Sequence, residues 1–540
     1  MKITSRWHTP TPCYRAELRL DLPPEASFVY RSANNMPLLA AGSPLFSPTA
    51  FDGEYPSEDV IIAGDAATSR YILAGAITAK RSLSYFSLIK NGRFHSITVR
   101  QPGIFPGEEP EKLLILEGSD WRQLLQAYAA RAAEAMGQKK LKPTENVTGY
   151  CSWYYYYAGV TEKNLNENLE ALADPANRKL FPAKYLQIDD GYQTFQGDWL
   201  DQDETWPTPL PEIAAKIRAA GMIPGIWTMP FLASTSSKTF RAHPEWFVKA
   251  PDGSPLVFAG WSPPPDNHWV CLDATRQEVQ EHLQKIFTTF RDWGFGYFKL
   301  DGMGFSLPSG IRYDHRATAV SAFRTGLKTI REAVPDCILL GCGAPFMPCL
   351  GLVDHIRVSN DTGREWLPEG AQLNCDANNA LPCVANALHA TLANWWMYDR
   401  WFRADPDALM ARQDNTSCTE GEARLSVLSG ILTGIAITSD NLKTIAPERL
   451  QLLAKAAKYR LHSPVPQLWR PDTWPQVFTG TWNGGKAACI FNDSDREMTW
   501  QLKDIGFSGN VEELLQDMGT LHTSITLPPH DGAFIAEKGD

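Results

Sequence analysis

No stretch of this chain is long and apolar enough to be a membrane span, and no block of Lys and Arg offsets its net charge of −10. Neither a membrane nor a nucleic acid is therefore an expected partner. Met1 to Pro10 lack the apolar stretch of a signal peptide, so a cytoplasmic location is expected. The ten cysteines (13, 151, 271, 337, 342, 349, 375, 383, 418 and 489) include no C-x-x-C pair. A zinc ribbon or disulfide framework is not suggested, and reduced thiols are the simplest account. Among 11 His, no H-x-H or H-E-x-x-H occurs and His355 stands alone, so neither a metal nor another cofactor is expected. A serine elbow of the G-x-S-x-G type is also missing.

What is plentiful is aromatic surface. The chain has 18 Trp and 17 Tyr; most should pack in cores, but flat rings with a polar handle also stack on the C–H faces of sugars. A length of 540 residues with 44% hydrophobic content suits two or three domains. Within an N-terminal region of residues 1–140, residues 1 to about 120 alternate polar and apolar in short runs, such as Ile61-Ile62-Ala63 and Ser96-Ile97-Thr98-Val99. They predict a β-sandwich, then a helix ending near Gly137 and a linker from Lys140 to Glu145. Over residues 141–464, strands alternate with amphipathic helices, which predicts a (β/α)8 barrel. The eight strand candidates are Tyr150–Tyr156, Tyr185–Asp189, Ile223–Met229, Tyr297–Asp301, Ile338–Cys342, Ile356–Ser359, Trp395–Tyr398 and Ile435–Ser439. A doubly wound sheet is the rival fold, but no Gly-rich phosphate loop follows the first strand. Short β-like runs return over 465–540 and predict a small closing sandwich.

Two of these strands each carry an aspartate at or just beyond their C-terminal end. One reads Tyr297-Phe298-Lys299-Leu300-Asp301, the other His355-Ile356-Arg357-Val358-Ser359-Asn360-Asp361. Alternation along an extended segment puts Lys299 with Asp301, and Arg357 with Asp361, on shared faces. Charges on inward faces are costly unless paired or functional. Barrel enzymes assemble their sites at these strand ends, and two carboxylates converging there suit glycoside hydrolysis. Other strand ends offer Trp153 and Tyr154, Asp189-Asp190, Trp227, Cys342, Asp405 with Asp407, and Asp440. Asp190, Asp407 and Asp440 also read as helix caps, the better account of Asp407, and Cys342 as a buried apolar thiol.

Several segments together resemble glycoside hydrolase family 36, the α-galactosidase or melibiase family, in its shorter bacterial form. They are Cys151-Ser152-Trp153-Tyr154, Gln187-Ile188-Asp189-Asp190-Gly191-Tyr192-Gln193 with Gly197-Asp198-Trp199, and Gly225-Ile226-Trp227-Thr228-Met229-Pro230-Phe231. Phe298-Lys299-Leu300-Asp301, Gly341-Cys342-Gly343-Ala344-Pro345, Arg357-Val358-Ser359-Asn360-Asp361, Asp405-Pro406-Asp407 and Ser439-Asp440 extend the likeness over residues 146 to 445. The resemblance implies a flanking sandwich on each side of a barrel, Asp301 as nucleophile and Asp361 as general acid/base. It implies that Asp189 and Asp190 hold sugar hydroxyls against a Trp227 wall, with Lys299, Cys342, Arg357, Trp153 and Tyr154 lining the same subsite. Gly302 follows the nucleophile where the family commonly has an aromatic, and Ala404 stands where an Asn often precedes D-P-D.

On this reading Lys299 keeps Asp301 ionised, and Arg357 turns to a sugar hydroxyl rather than to Asp361, whose protonation the acid step needs. The implied partner is an oligosaccharide or glycoside, and the implied chemistry a metal-free double displacement with retention. α-N-acetylgalactosaminidase, α-glucosidase and α-galactosyl transfer are alternatives on the same scaffold, and a silent sugar-binding protein is the alternative of a different class. Oligomeric state is not legible in the sequence.

Overall fold

The architecture was analysed in a computed structural model that describes residues 3–8, 12–22, 28–32, 45–48, 52–65, 67–138, 146–260, 268–370, 381–467 and 474–537. The linker expected at Lys140 to Glu145 and the cysteine at 375 lie outside the described residues. By contact density the chain divides into two compact units. One comprises Met1–Lys140, Asp189–Lys216 and Pro224–Ile356; the other comprises Leu141–Ile188, Ile217–Ile223 and Arg357–Asp540.

In the first unit, two five-stranded antiparallel sheets build the N-terminal layer pair. Its alternating strands turn Leu18, Val29, Ile61, Ile72, Phe86, Leu88, Ile97 and Val99 into one buried core, as period-two patterning requires. The helix Trp121–Met136 follows. Asp120 caps its start, and Gly137 ends it at φ 73°, a left-handed conformation that glycine adopts without strain.

Eight parallel strands form the central sheet. They are β1 (Val147–Cys151), β2 (Tyr185–Ile188), β3 (Ile223–Thr228), β4 (Tyr297–Leu300), β5 (Ile338–Gly341), β6 (His355–Arg357), β7 (Arg403–Asp405) and β8 (Ile435–Thr438). The hydrogen-bonded order is β7-β6-β5-β4-β3-β2-β1-β8, the order of a nearly closed (β/α)8 barrel. A parallel bridge between Leu409 and Thr438 lies at the β7/β8 seam. Helix Gln277–Trp293, buried along Val279, Leu283, Ile286, Phe287 and Phe290, follows the expected stripe.

Two strand expectations are corrected. Expected over Trp395–Tyr398, the seventh strand is instead Arg403–Asp405, and Trp395–Met397 form a 3-10 turn. Trp395, Trp396, Met397 and Tyr398 are all buried, and a short run apolar on every side does not separate strand from helix. The first strand stops at Cys151, and Trp153–Tyr156 wind into a helical turn closed by Tyr157 at φ 51°.

After the barrel strands, the second unit continues into a six-stranded sheet and a two-stranded antiparallel sheet. They share a core of Val477, Ile490, Trp500, Leu502, Val511, Ile525 and Ile535. Helix Glu420–Thr433 lies against the strand Asp531–Glu537: a Cβ on Gly532 would sit 2.8 Å from Leu428 and 3.2 Å from Leu425. No helix among the described residues is long and apolar enough to cross a membrane.

Candidate active site

In the first unit, β3 and β4 run in register with Trp227 opposite Lys299. Asp301 follows directly, its backbone N–H donating to the Thr228 carbonyl at 2.8 Å. Its two carboxylate oxygens have separate donors: Trp227 Nε1 reaches Oδ2 at 3.0 Å and the Gly302 N–H reaches Oδ1 at 2.7 Å. Donated N–H groups favour a charged carboxylate. Gly302 makes its bond at φ 60°, and a Cβ there would meet Met229 Sδ at 3.0 Å, so the left-handed turn and tight space both favour glycine at this position. Gly343 also approaches closely, since its Cβ would lie 3.4 Å from Asp301 Oδ1.

Lys299 forms its ion pair with Asp189, Nζ to Oδ2 at 2.9 Å, both side chains buried. Lys299 thus pairs with the aspartate that follows β2, and Asp301 accepts from two N–H groups. Asp190 accepts from Gln193 Nε2 at 2.5 Å, a turn contact rather than a helix cap. The Trp227 indole is buried, 5.7 Å from Trp199 in an edge contact, and its backbone carbonyl accepts from the Tyr192 hydroxyl at 3.2 Å. Cys342 is fully buried, its N–H bonded to Leu300.

In the second unit, β6 presents Arg357 to two carboxylates. One of its guanidinium nitrogens, Nη1, lies 2.5 Å from Asp361 Oδ1 and 3.4 Å from Asp407 Oδ2. This corrects the expectation that Arg357 turns away from Asp361. With the guanidinium buried and both acids within reach, electrostatics favours pairing. Asp361 keeps 43% of its side chain exposed, against 6% for Asp407.

Asp407 is the residue that the sequence reading undervalued. It caps no helix. Its φ is 78°, and its carboxylate accepts from the Tyr154 hydroxyl, the Thr362 N–H at 3.0 Å and the Ala408 N–H at 2.8 Å. The signal available was Asp405-Pro406-Asp407 itself, two acids at one strand end. Burial, followed by the charges of Asp361 and Asp407, holds the Tyr154 phenol well above its usual range, so it stays a donor. Trp153, half-buried beside it, packs edge-on to Tyr157 at 5.5 Å. Asp440, the other expected cap, is fully buried and accepts from the Ala411 N–H at 2.9 Å.

Comparison with known proteins bears on the first of these clusters. The Melibiase family model matches residues 167–303, a span that contains Asp189, Asp190, Trp227, Lys299 and Asp301. This segment is melibiase-family sequence. Alpha-galactosidase Mel36A of Lactobacillus acidophilus is 23% identical over 256 residues, 44% of this chain and 33% of the relative. An A type blood alpha-D-galactosamine galactosaminidase of Flavonifractor plautii is 28% identical over 123 residues, 22% of this chain and 11% of the relative. The chain aligns with 33% of the length of Mel36A and with 22% and 23% of the alpha-galactosidases of Escherichia coli and Pediococcus pentosaceus. Among solved structures, TtGalA, an alpha-galactosidase from Thermus thermophilus in complex with p-nitrophenyl alpha-D-galactopyranoside, superposes with a TM-score of 0.70. It is 22% identical, over 88% of this chain and 95% of that one, a likeness that establishes the fold.

Proposed function

We propose that this protein is a retaining exo-α-glycosidase, an α-galactosidase that releases terminal α-linked galactose from oligosaccharides or simple glycosides by double displacement. Asp301 attacks the anomeric carbon and forms a glycosyl ester while the glycosidic C–O bond breaks. Asp361 gives its proton to the departing oxygen, then takes one from the water that hydrolyses the ester. Asp189, Asp190 and Lys299 bind hydroxyls of the same sugar, Trp227 forms a wall, and Cys342, Arg357, Trp153 and Tyr154 complete the subsite. Within this reading residues 1–140, 141–464 and 465–540 are the N-terminal sandwich, the catalytic barrel and the C-terminal sandwich, and the enzyme is cytoplasmic.

The observation that carries the proposal is Asp301, a carboxylate just past a barrel strand with a separate N–H donor on each oxygen. Such an acid is set up to stay charged and to attack. Hydrolysis of aryl α-galactoside, α-N-acetylgalactosaminide and α-glucoside, with proton NMR of the first-formed anomer, tests the sugar and the stereochemistry. Asp301→Ala should lower turnover by about 10⁴-fold or more. Asp301→Gly supplied with azide should give the β-galactosyl azide. An initial β-anomer from wild type would overturn the retaining assignment. A second reading, an α-glycosidase for a 2-amino-2-deoxygalactoside, is favoured by the similarity to the Flavonifractor plautii alpha-D-galactosamine galactosaminidase; faster cleavage of an aryl α-galactosaminide would select it.

A further inference from the structure

A retaining mechanism asks one carboxyl to hold a proton and then to lack it, and Arg357 stands 2.5 Å from that carboxyl. When Asp361 takes up a proton, a buried guanidinium loses its counter-charge, which opposes protonation. The second unit contains an answer. Asp407 lies 3.4 Å from the same nitrogen, buried where Asp361 is partly exposed. Three donors fix it in place, from Tyr154, Thr362 and Ala408. Asp361 has no regular element to hold it, since β6 ends at Arg357 and the following residues are irregular.

We propose that Asp407 is the standing counter-charge of Arg357, a positioning residue that lets Asp361 gain and lose its proton without leaving the guanidinium uncompensated. In the first half-reaction Arg357 rests on Asp407 while protonated Asp361 delivers its proton to the leaving oxygen. Once Asp361 is ionised, Arg357 is shared between the two acids, and the arrangement resets when Asp361 takes a proton from water. Among the described residues, Tyr154, Asp405 and Arg412 are further charged or titratable groups beside the cluster. Tyr154 donates to Asp407, Asp405 accepts the Asp407 N–H at 3.0 Å, and Arg412 donates to the Tyr154 carbonyl at 3.0 Å.

The roles of Asp361 rest on the glycosidase reading, but the charge-sharing is measurable without substrate. Carboxyl carbon-13 NMR, with the Asp361 signal assigned by its loss in Asp361→Asn, should show Asp361 titrating at least one pH unit lower in Asp407→Asn than in wild type. The basic limb of the kcat/KM profile for an oligosaccharide should move down with it. A dinitrophenyl α-galactoside, whose leaving group needs no proton, should lose far less. Tyr154→Phe removes a donor from Asp407 and leaves more of its charge for Arg357, so Asp361 should titrate higher. These opposite signs are the signature, because loosened packing would not produce them. An unmoved Asp361 titration in Asp407→Asn, or a downward one in Tyr154→Phe, overturns the proposal. Failure of wild type to cleave any α-galactoside would overturn the activity reading and leave the titration standing.

Discussion

Asp440 has a pH dependence that follows from its position. It is fully buried beside Arg412 at 4.0 Å, and burial pushes its carboxyl up from 3.8 to about 6 despite that cation. Between those values the unfolded chain has released the proton and the folded chain keeps it. The stability that Asp440 contributes is therefore complete below pH 4 and is lost as pH rises through 6, by up to about 3 kcal/mol. Denaturant unfolding at pH 4.0 and 6.5 should show wild type losing about that much relative to Asp440→Asn; a difference that stays flat would mean an ionised carboxyl throughout. The Lys299–Asp189 pair makes a second residue-scale prediction. Lys299→Met leaves a buried carboxylate uncompensated and should cost about 3–5 kcal/mol, with part recovered in Lys299→Met/Asp189→Asn. Strand alternation was enough to put Lys299 and Arg357 on faces that meet carboxylates. It could not say which acid each would meet, because Asp189 lies 110 residues from Lys299 in the chain and Asp407 lies 50 from Arg357. Side chains that reach across strands choose partners by three-dimensional proximity, which periodicity does not encode.

At the scale of elements, those with a strong local signal were legible. Helix Gln277–Trp293 announced itself by its apolar stripe, and Trp121–Met136 by the glycine that ends it. The 3-10 turn at Trp395–Met397 did not, because nothing polar interrupts its burial to mark a period. Strand β7 is only three residues long, with Ala404 between Arg403 and Asp405, too short for alternation to register. Helix Glu420–Thr433 opens on a reciprocal cap in which the Thr419 hydroxyl accepts from the Glu422 N–H and the Glu422 carboxylate accepts from the Thr419 N–H. Thr419→Ala should lower stability by about 1 kcal/mol, and Thr419→Ser should restore most of it in thermal melts.

For the molecule as a whole, the C-terminal sheet acts as structural support. Arg424 on helix Glu420–Thr433 pairs with buried Asp531 at 2.7 Å, and Glu422 lies 3.1 Å from His530, while Leu425 and Leu428 pack under Gly532. A chain ending at residue 464 would present that helix face to water, and it should elute from size exclusion as aggregate rather than as monomer. Gly532→Val in the full chain tests the same contact more gently and should cost about 1–3 kcal/mol by overpacking.

The interleaving of the two compact units also bears on how the protein is made. Every residue of the first has left the ribosome once Ile356 emerges, but the second includes Leu141–Ile188 and also the strand Asp531–Glu537. At about 5–20 residues per second, the apolar segments Val147–Cys151 and Tyr185–Ile188 wait roughly 20–80 s for the last strand of their unit to be synthesised. Throughout that interval the nascent polypeptide carries sticky, unfinished edges, and a holdase that shields them would govern how much of it matures.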